Sequence, residues 1–327
     1  MLARKKTLGT YPRSLINTKE LNELLRDSRK KVIVIGVIPL WRFLIQHIPG
    51  SHQVWRNQLT EPGSAKLIDA KGFTCWAQRL GIHPESHVVL WDERYDATRL
   101  WWAFQHYGKY DVQVLDGGLE AWKQAKLPLA RGPVRRISHQ YPGRFTTRIT
   151  NRFPIGETHD ILATKNQLDS QLWDCRSFNE WSGRTQLRGA RKAGRIPWAK
   201  HLPWQLFRAE PCKGSHFFEA QIVEDVISIY NLDKNRKQFF YCQSGVRTTV
   251  AIFALYQLGW EPEKLINFDG SWREWSRDAT LPFAKEPPRF IDLLKRCQHI
   301  VYLWRHAQRS RPTHRRRRNN TKSSKRN

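Results

Sequence analysis

The chain has 327 residues, 40% of them hydrophobic, and a formal net charge of +27. This length accommodates two domains of ordinary size, and the apolar content excludes a chain that is disordered throughout. Residues 305–327 hold ten Lys and Arg and no Asp or Glu, so residues 1–304 keep a charge of +17 (27 − 10). A basic surface of this kind attracts small oxyanions, nucleic acid or acidic lipid headgroups.

The five cysteines are odd in number, widely spaced and without a CxxC pair; they are Cys75, Cys175, Cys212, Cys242 and Cys297. This pattern argues against a disulfide framework and a zinc site, and it favours a reducing compartment. We therefore expect a cytoplasmic protein without metal or cofactor. No apolar stretch approaches the ~20 residues of a membrane span. Residues 1–19 are basic but lack the apolar core of a secretory signal, and organelle targeting stays open.

Short apolar runs alternate with amphipathic stretches along the first half of the chain. The predicted strands are 32–36, 87–91 and 112–116, and the predicted helices are 73–80, 97–107 and 119–124. Residues 130–155 contain Pro and Gly with little periodicity and are typical of a linker.

The second half repeats this alternation. Its predicted strands are 172–175, 239–242 and 265–268, and its predicted helices are 217–230 and 248–258. Strands that alternate with helices predict a parallel sheet covered on both faces. Ligands bind beyond the carboxyl ends of such strands, where Asp174 and Cys242 both lie. A last helix is predicted within 286–304.

The two halves share three ordered matches. HIPG at His47 matches RIPW at Arg195, Asp92 matches Cys242, and Asp116 of LDGGLEAW matches Asp269 of FDGSWREW. The offsets are 148, 150 and 153 residues. A near-constant offset indicates a duplicated domain of about 130 residues.

Cys242 ends the aromatic run that begins at Phe239 and precedes a short loop with one glycine and one arginine. An apolar helix follows from Thr248. Backbone N–H groups and the dipole at a helix N-terminus favour negative charge. Beside Arg247, this setting favours the thiolate, which is the nucleophilic form of cysteine.

The two DG-x-x-x-x-W segments, the paired IP elements and C-Q-S-G-V-R together resemble tandem-domain rhodaneses, which are thiosulfate or 3-mercaptopyruvate sulfurtransferases. DCRSFNEWSG and GRIPWAKHLPW are similar to the strand, loop and second motif of that family's catalytic half. The resemblance covers roughly residues 15–285. It implies an α/β fold of two tandem rhodanese-like domains, each a small parallel sheet with helices on both faces.

The resemblance also implies a division of labour between the domains. Residues 1–129 would form an inactive domain, because Asp92 stands in place of the cysteine and a carboxylate cannot accept a sulfane sulfur. After the linker 130–155, residues 156–285 would form the catalytic domain. Residues 286–327 would be a basic extension, mostly disordered after about 305.

The implied chemistry moves a sulfane sulfur from thiosulfate to cyanide or a thiol through a Cys242 persulfide. The residues expected to bind persulfide and substrate are Gln243, Ser244, Gly245, Val246, Arg247 and Thr248. Asp174 and Arg176 are expected to order this loop, to touch the substrate or to form an ordinary strand-end ion pair. Some family members have an arginine at the position of Glu180, so Arg247 would meet the donor's charge, with help from Arg184 or Arg188.

Three alternatives stay open. Cysteine phosphatases place five residues between Cys and Arg, and this chain has four. Mercaptopyruvate enzymes typically show C-G-S-G-V-T, whereas Gln243 and Arg247 favour an inorganic, doubly charged donor. The basic tail 305–327 motivates a persulfide carrier or binding module on RNA or membrane, with non-specific binding to anionic polymers. Cys175 is expected to pack opposite Asp174, and Trp198 and Trp204 to line the cleft mouth.

Overall fold

The computed structural model describes most of the chain from Ser14 to Lys285. The described ranges are 14–27, 31–133, 142–208, 216–217 and 219–285. The predicted basic extension 286–327, the predicted helix within 286–304, Cys212 and Cys297 lie outside them. No helix in these ranges is long and apolar enough to cross a membrane.

The first half forms a five-stranded sheet with all strands parallel, in the order β1-β5-β4-β2-β3. Its strands are β1 (Leu15–Ile16), β2 (Val32–Val37), β3 (His52–Val54), β4 (His87–Trp91) and β5 (Val112–Leu115). Its helices are α1 (Thr18–Arg26), α2 (Leu40–Ile45), α3 (Ala70–Arg79), α4 (Asp96–His106) and α5 (Gly118–Gln124).

The second half forms an equivalent parallel sheet in the order β6-β10-β9-β7-β8. Its strands are β6 (Ile155–Gly156), β7 (Ser170–Asp174), β8 (Lys200–His201), β9 (Lys237–Tyr241) and β10 (Leu265–Phe268). Its helices are α6 (Thr158–Ala163), α7 (Phe178–Trp181), α8 (Ala220–Tyr230), α9 (Thr248–Gln257) and α10 (Ser271–Trp275). The identical strand order confirms the predicted α/β fold and the duplication.

Each sheet has a separate apolar core. The core of the first sheet includes Val89, Trp91 and Trp122, and that of the second includes Tyr241 and Trp272. β4 and β9, the middle strands, are buried along nearly their whole length, as expected for strands covered on both faces. The loops that follow these two strands are therefore attached to rigid parts of the sheets.

The two halves exchange matching contacts. An antiparallel bridge joins Thr60 to Leu67 in the first half, and another joins Arg208 to Phe217 in the second. The Leu67 N–H donates to Asp269 Oδ2 at 2.6 Å, and the Phe217 N–H donates to Asp116 Oδ1 at 2.9 Å. In each half, a backbone N–H of this bridged segment thus donates to the aspartate of the Asp-Gly turn in the other half.

Helices α4 and α9, which follow the two equivalent loops, pack against each other. The hydroxyl oxygens of Thr98 and Thr249 lie 2.9 Å apart in a buried hydrogen bond. The rings of Trp101 and Phe253 meet edge to face with centroids 4.7 Å apart. This contact places the Asp92 loop and the Cys242 loop on opposite sides of one interface.

A buried ion pair also crosses the interface. Arg208 donates to both carboxylate oxygens of Asp92, at 2.9 and 3.3 Å. The two side chains are 0% and 1% exposed. A charge buried this deeply requires its partner, because water cannot replace it.

We expect Asp92→Asn to lower the free energy of unfolding by about 3–5 kcal/mol, because it removes the carboxylate charge that both guanidinium nitrogens of the buried Arg208 contact. Denaturant unfolding of the purified protein measures this loss. The double variant Asp92→Asn with Arg208→Gln should lose clearly less than the sum of the single variants. Additive losses would show that the pair is not coupled.

Candidate active site

The predicted nucleophile lies at the carboxyl end of the central strand. Cys242 follows β9 directly, and α9 begins six residues later at Thr248. The Cys242 residue is 1% exposed, so its sulfur lies at the base of the loop rather than on the surface. Ser244 and Arg247 are the partly exposed residues of the segment Cys242–Thr248.

Gly245 allows the loop to turn tightly. Its φ angle is +66°, and a Cβ atom there would lie 2.6 Å from Asp269 Oδ1 and 2.8 Å from Asp269 O. Both the left-handed backbone and the close approach of Asp269 therefore require a residue without a side chain.

Ser271 holds the loop from below, a role that the sequence interpretation missed. Its hydroxyl accepts from the N–H groups of Cys242 (3.2 Å) and Gly245 (2.9 Å) and donates to Phe268 O (2.7 Å). Ser271 has a φ of +53°, a left-handed conformation unusual for serine. The matching residue of the first half is Gly118, which is also left-handed. The sequence feature that could have indicated the role of Ser271 is the serine in DGSW, where the first half has DGG.

The remaining N–H groups of the loop are available for an anion. Those of Gln243, Ser244, Val246, Arg247 and Thr248 find no hydrogen-bond acceptor among the described residues. Successive N–H groups ahead of a helix N-terminus form an anion-binding concavity. The arrangement fits a negatively charged sulfur on Cys242.

One side chain from each half of the chain donates a hydrogen bond to the carbonyl oxygen of Gly245 in the loop. Arg99 Nη1 of α4 and Asn267 Nδ2 each donate to Gly245 O at 3.2 Å. Arg99 also forms a buried ion pair with Asp269. The first half therefore contributes directly to the shape of the Cys242 loop. No local sequence pattern predicts this contact.

Arg247 is already engaged by a carboxylate. Its Nη1 and Nη2 donate to Glu180 Oε2 and Oε1, each at 2.7 Å. Glu180 also accepts from the Ser177 hydroxyl at 2.7 Å, as part of the cap that begins α7. Burial disfavours the Glu180 charge, but the hydrogen bonds and charge of Arg247 outweigh it and hold the pKa of Glu180 at about 2.

Asp174 and Arg176 form a fully buried ion pair beneath the site. Arg176 Nη2 donates to Asp174 Oδ2 at 2.6 Å and to Gly194 O at 2.7 Å. The Arg176 guanidinium also lies 4.7 Å from the ring centroid of Trp272. The backbone N–H of Trp272 donates to Cys242 O at 3.0 Å. This geometry connects the pair to the loop through Trp272.

Other residues singled out in the sequence take varied positions. Arg184 and Arg188 are exposed, and Arg188 O accepts from Gln243 Nε2 at 3.3 Å. The Trp204 ring packs against Tyr95 with centroids 4.8 Å apart. Cys175 is fully buried, and burial raises the pKa of its thiol well above the ordinary value, so it is a poor thiolate.

Cys75, by contrast, is exposed. Trp198 packs against the core of the second sheet and donates from Nε1 to Thr164 at 2.9 Å.

The equivalent loop of the first half is filled by its own carboxylate. Asp92 Oδ2 accepts from the Ala97 N–H at 2.8 Å, and Ala97 matches Arg247 at the offset of 150. With Arg208 on its other side, Asp92 supplies the negative charge that a sulfur would supply at Cys242.

A cavity of about 170 Å³ lies between the halves beside the Cys242 loop. Ser244 and Val246 of the loop form part of its wall, and Arg56 and Arg99 line it from the first half. Within the described ranges, no group of three or more His, Cys, Asp or Glu side chains is placed to hold a metal ion.

The fold and this site correspond to a known family. The model of the rhodanese-like domain matches the chain twice, over residues 17–125 and 157–278. The chain therefore belongs to the rhodanese-like family as a tandem-domain member, and its relatives are sulfurtransferases and a sulfur carrier.

Three relatives illustrate the range. The sulfur carrier protein TtuD of Thermus thermophilus is 27% identical, covering 84% of this chain and 98% of that protein. The 3-mercaptopyruvate sulfurtransferase of Homo sapiens is 29% identical, covering 78% and 82%. A putative thiosulfate sulfurtransferase of Mycobacterium tuberculosis is 30% identical, covering 70% and 82%.

Glu180 should stabilise the fold in a pH-dependent way. Because its pKa is lower in the folded protein than the ordinary value of 4.5, its contribution is present above about pH 4.5 and is lost as the pH falls towards about 2. We expect the unfolding free energy of Glu180→Gln to change less than that of the wild type between about pH 6 and about pH 3. Equal slopes in denaturant titrations across this range would contradict the role of the pair.

Proposed function

We propose that the protein transfers a sulfane sulfur from thiosulfate to a thiol or cyanide through a persulfide on Cys242. One observation carries this proposal: the Cys242 sulfur lies at the base of a loop whose amide N–H groups, those of residues 243, 244 and 246–248, have no acceptor among the described residues. Membership in the rhodanese-like family supports the same chemistry.

The reaction balances in two half-reactions. The Cys242 thiolate forms a bond to the outer sulfur of thiosulfate, the S–S bond of thiosulfate breaks, and sulfite leaves with the electron pair. Cyanide or a thiolate then bonds to the outer sulfur of the persulfide, and Cys242 departs as the thiolate. The thiolate form attacks directly, so this scheme assigns no residue as general base.

Each residue of the site takes a role in holding charge. The N–H groups from Gln243 to Thr248 stabilise the persulfide, except that of Gly245, which Ser271 holds. Arg247 lies five residues after Cys242, at the end of the same loop. Because Glu180 already neutralises Arg247, we assign the arginine to the persulfide more than to the donor. Asp174 and Arg176 support the loop from beneath, and their burial argues against contact with substrate.

The donor assignment rests on the loop. Gln243 and Arg247 differ from the C-G-S-G-V-T pattern typical of mercaptopyruvate enzymes, and a relative 30% identical is described as a putative thiosulfate sulfurtransferase. A 3-mercaptopyruvate donor is the second candidate, favoured by the human relative. A sulfur-carrier role is the third, favoured by the Thermus relative that matches over 98% of its length.

Two further alternatives find less support. The four-residue spacing from Cys242 to Arg247 is shorter than that of cysteine phosphatases. Binding of RNA or membrane by the tail 305–327 gains nothing from the comparisons, because the family match ends at residue 278. We further propose that the first half is not catalytic, because Asp92 and Arg208 fill its loop.

Replacing the nucleophile tests the mechanism directly. We expect Cys242→Ser to abolish thiocyanate formation from thiosulfate and cyanide, because serine forms no persulfide. Cys175→Ser, a buried thiol nearby, should retain most of the activity. Mass spectrometry after thiosulfate treatment should find one added sulfur atom on the peptide that contains Cys242. Full activity in Cys242→Ser would overturn the mechanism.

The donor is tested by comparing kcat/KM for thiosulfate and 3-mercaptopyruvate with the same acceptor. We expect a higher kcat/KM for thiosulfate, because Gln243 and Arg247 depart from the C-G-S-G-V-T pattern typical of mercaptopyruvate enzymes. A preference for mercaptopyruvate would reassign the donor and leave the Cys242 persulfide intact. Persulfide formation without turnover on any small acceptor would favour the carrier role.

A further inference from the structure

The cavity beside the Cys242 loop is lined by Arg273, which faces no counterion among the described residues. We propose that this cavity is the acceptor subsite and that Arg273 binds the carboxylate or sulfonate of a small organic thiol that receives the sulfur. The inference rests on the proposed persulfide function and names the class of its second substrate.

Arg273 is attached to the loop that carries the sulfur. It lies in α10, and its backbone N–H donates to Gln243 O at 3.1 Å. Its side chain lines the cavity together with Ser244, two residues after Cys242. A ligand held by Arg273 is therefore next to the reacting loop.

The Arg273 guanidinium lacks a protein partner in the described part of the chain. Its Nε atom is buried without a hydrogen-bond acceptor, and no carboxylate of the described residues lies within ion-pair distance. A buried N–H group without an acceptor is costly, and among the described residues the protein supplies no anion to compensate the Arg273 guanidinium.

The other cations around the cavity are already paired. Arg56 pairs with Asp96 and Arg99 with Asp269, and Arg247 of the adjacent loop pairs with Glu180. An incoming anion would have to break one of those pairs, whereas Arg273 requires no exchange.

The backbone beside Arg273 leaves room for its guanidinium. Gly189 has a φ of +92°, and a Cβ atom there would lie 2.9 Å from Arg273 Nε. A larger residue at this position would displace the side chain. The glycine thus leaves space for the Arg273 side chain.

The size and walls of the cavity favour an organic anion. Its volume of about 170 Å³ corresponds to roughly five or six waters at about 30 Å³ each. Apolar walls from Leu59, Ala65 and Leu100 adjoin the Ser244 hydroxyl and Arg273. A short aliphatic thiol with one anionic group meets both kinds of wall, whereas thiosulfate has no apolar part.

The transfer itself is an exchange between sulfurs. The acceptor thiolate bonds to the outer sulfur of the Cys242 persulfide anion, the S–S bond to Cys242 breaks, and its electron pair stays on Cys242 as the thiolate. The acceptor leaves as a persulfide anion, so charge is conserved and no oxidant or reductant is consumed.

The experiment loads the full-length protein with sulfur, verifies the load by intact mass, and measures transfer to two acceptors of similar size. 3-Mercaptopropionate carries a carboxylate, and 2-mercaptoethanol is neutral. We expect Arg273→Gln to lower kcat/KM for 3-mercaptopropionate by roughly ten- to a hundredfold, the value of a charge-assisted contact, with little change for 2-mercaptoethanol. Arg273→Lys should recover part of the loss.

Arg236→Gln is the matched control, because it removes one arginine charge at an exposed ion pair with Asp233. It should behave as the wild type with both acceptors. An equal loss with both acceptors in Arg273→Gln, or no loss with either, would overturn the proposal.

The donor step separates this inference from the proposed function. The rate of persulfide formation from thiosulfate should be unchanged in Arg273→Gln, which also shows that the variant is folded. If thiosulfate does not load the wild type, 3-mercaptopyruvate or polysulfide serves as donor and the acceptor comparison still applies. A variant slowed only in loading from mercaptopyruvate would place a donor in the cavity and refute the acceptor assignment. Absence of a Cys242 persulfide with every donor would overturn both proposals.

Discussion

The hydroxyl of Ser271 is the contact on which the site depends. By accepting from the Cys242 and Gly245 N–H groups, it fixes both the base and the turn of the loop, and it leaves the other N–H groups free for a bound anion. The serine can do this because it adopts a left-handed backbone at the start of α10. In the first half the same position is Gly118, which has no hydroxyl, and the loop there is held through the Asp92 carboxylate instead.

The two halves form one unit around this loop. The Asp-Gly turn of each half accepts a backbone N–H from the other, and Arg99 of the first half reaches Gly245 O. The first half thus helps to hold the Cys242 loop in place, although its own equivalent loop has an aspartate, Asp92, at the position of the cysteine. Duplication explains why the two equivalent loops lie on either side of the packed helices α4 and α9.

Charge pairing distinguishes the arginines around the loop. Arg56, Arg99, Arg176 and Arg247 each face a carboxylate at close range, so a high net charge does not by itself supply cations for a substrate. A guanidinium that already has two short hydrogen bonds must exchange them to bind an anion. The cation that lacks such a partner in the described residues, Arg273, is therefore better suited to recognition than the arginine nearest the sulfur.

The sequence by itself determined the duplicated α/β fold, the central strands and the position of Cys242, because alternating apolar runs and repeated motifs are local patterns. It missed the two- and three-residue edge strands β1, β3, β6 and β8 and the four- to six-residue helices α2, α6, α7 and α10, which are too short to show a period. It also missed helix α1, despite the capping box of Asn17 and Glu20. Only the tertiary structure decided which side chains contact each other: Glu180 pairs with Arg247, Arg208 with Asp92, and Arg99 with the Gly245 carbonyl oxygen. It also showed that no carboxylate in the described ranges pairs with Arg273. These contacts join residues far apart in the chain, and the packing of one half on the other brings most of them together.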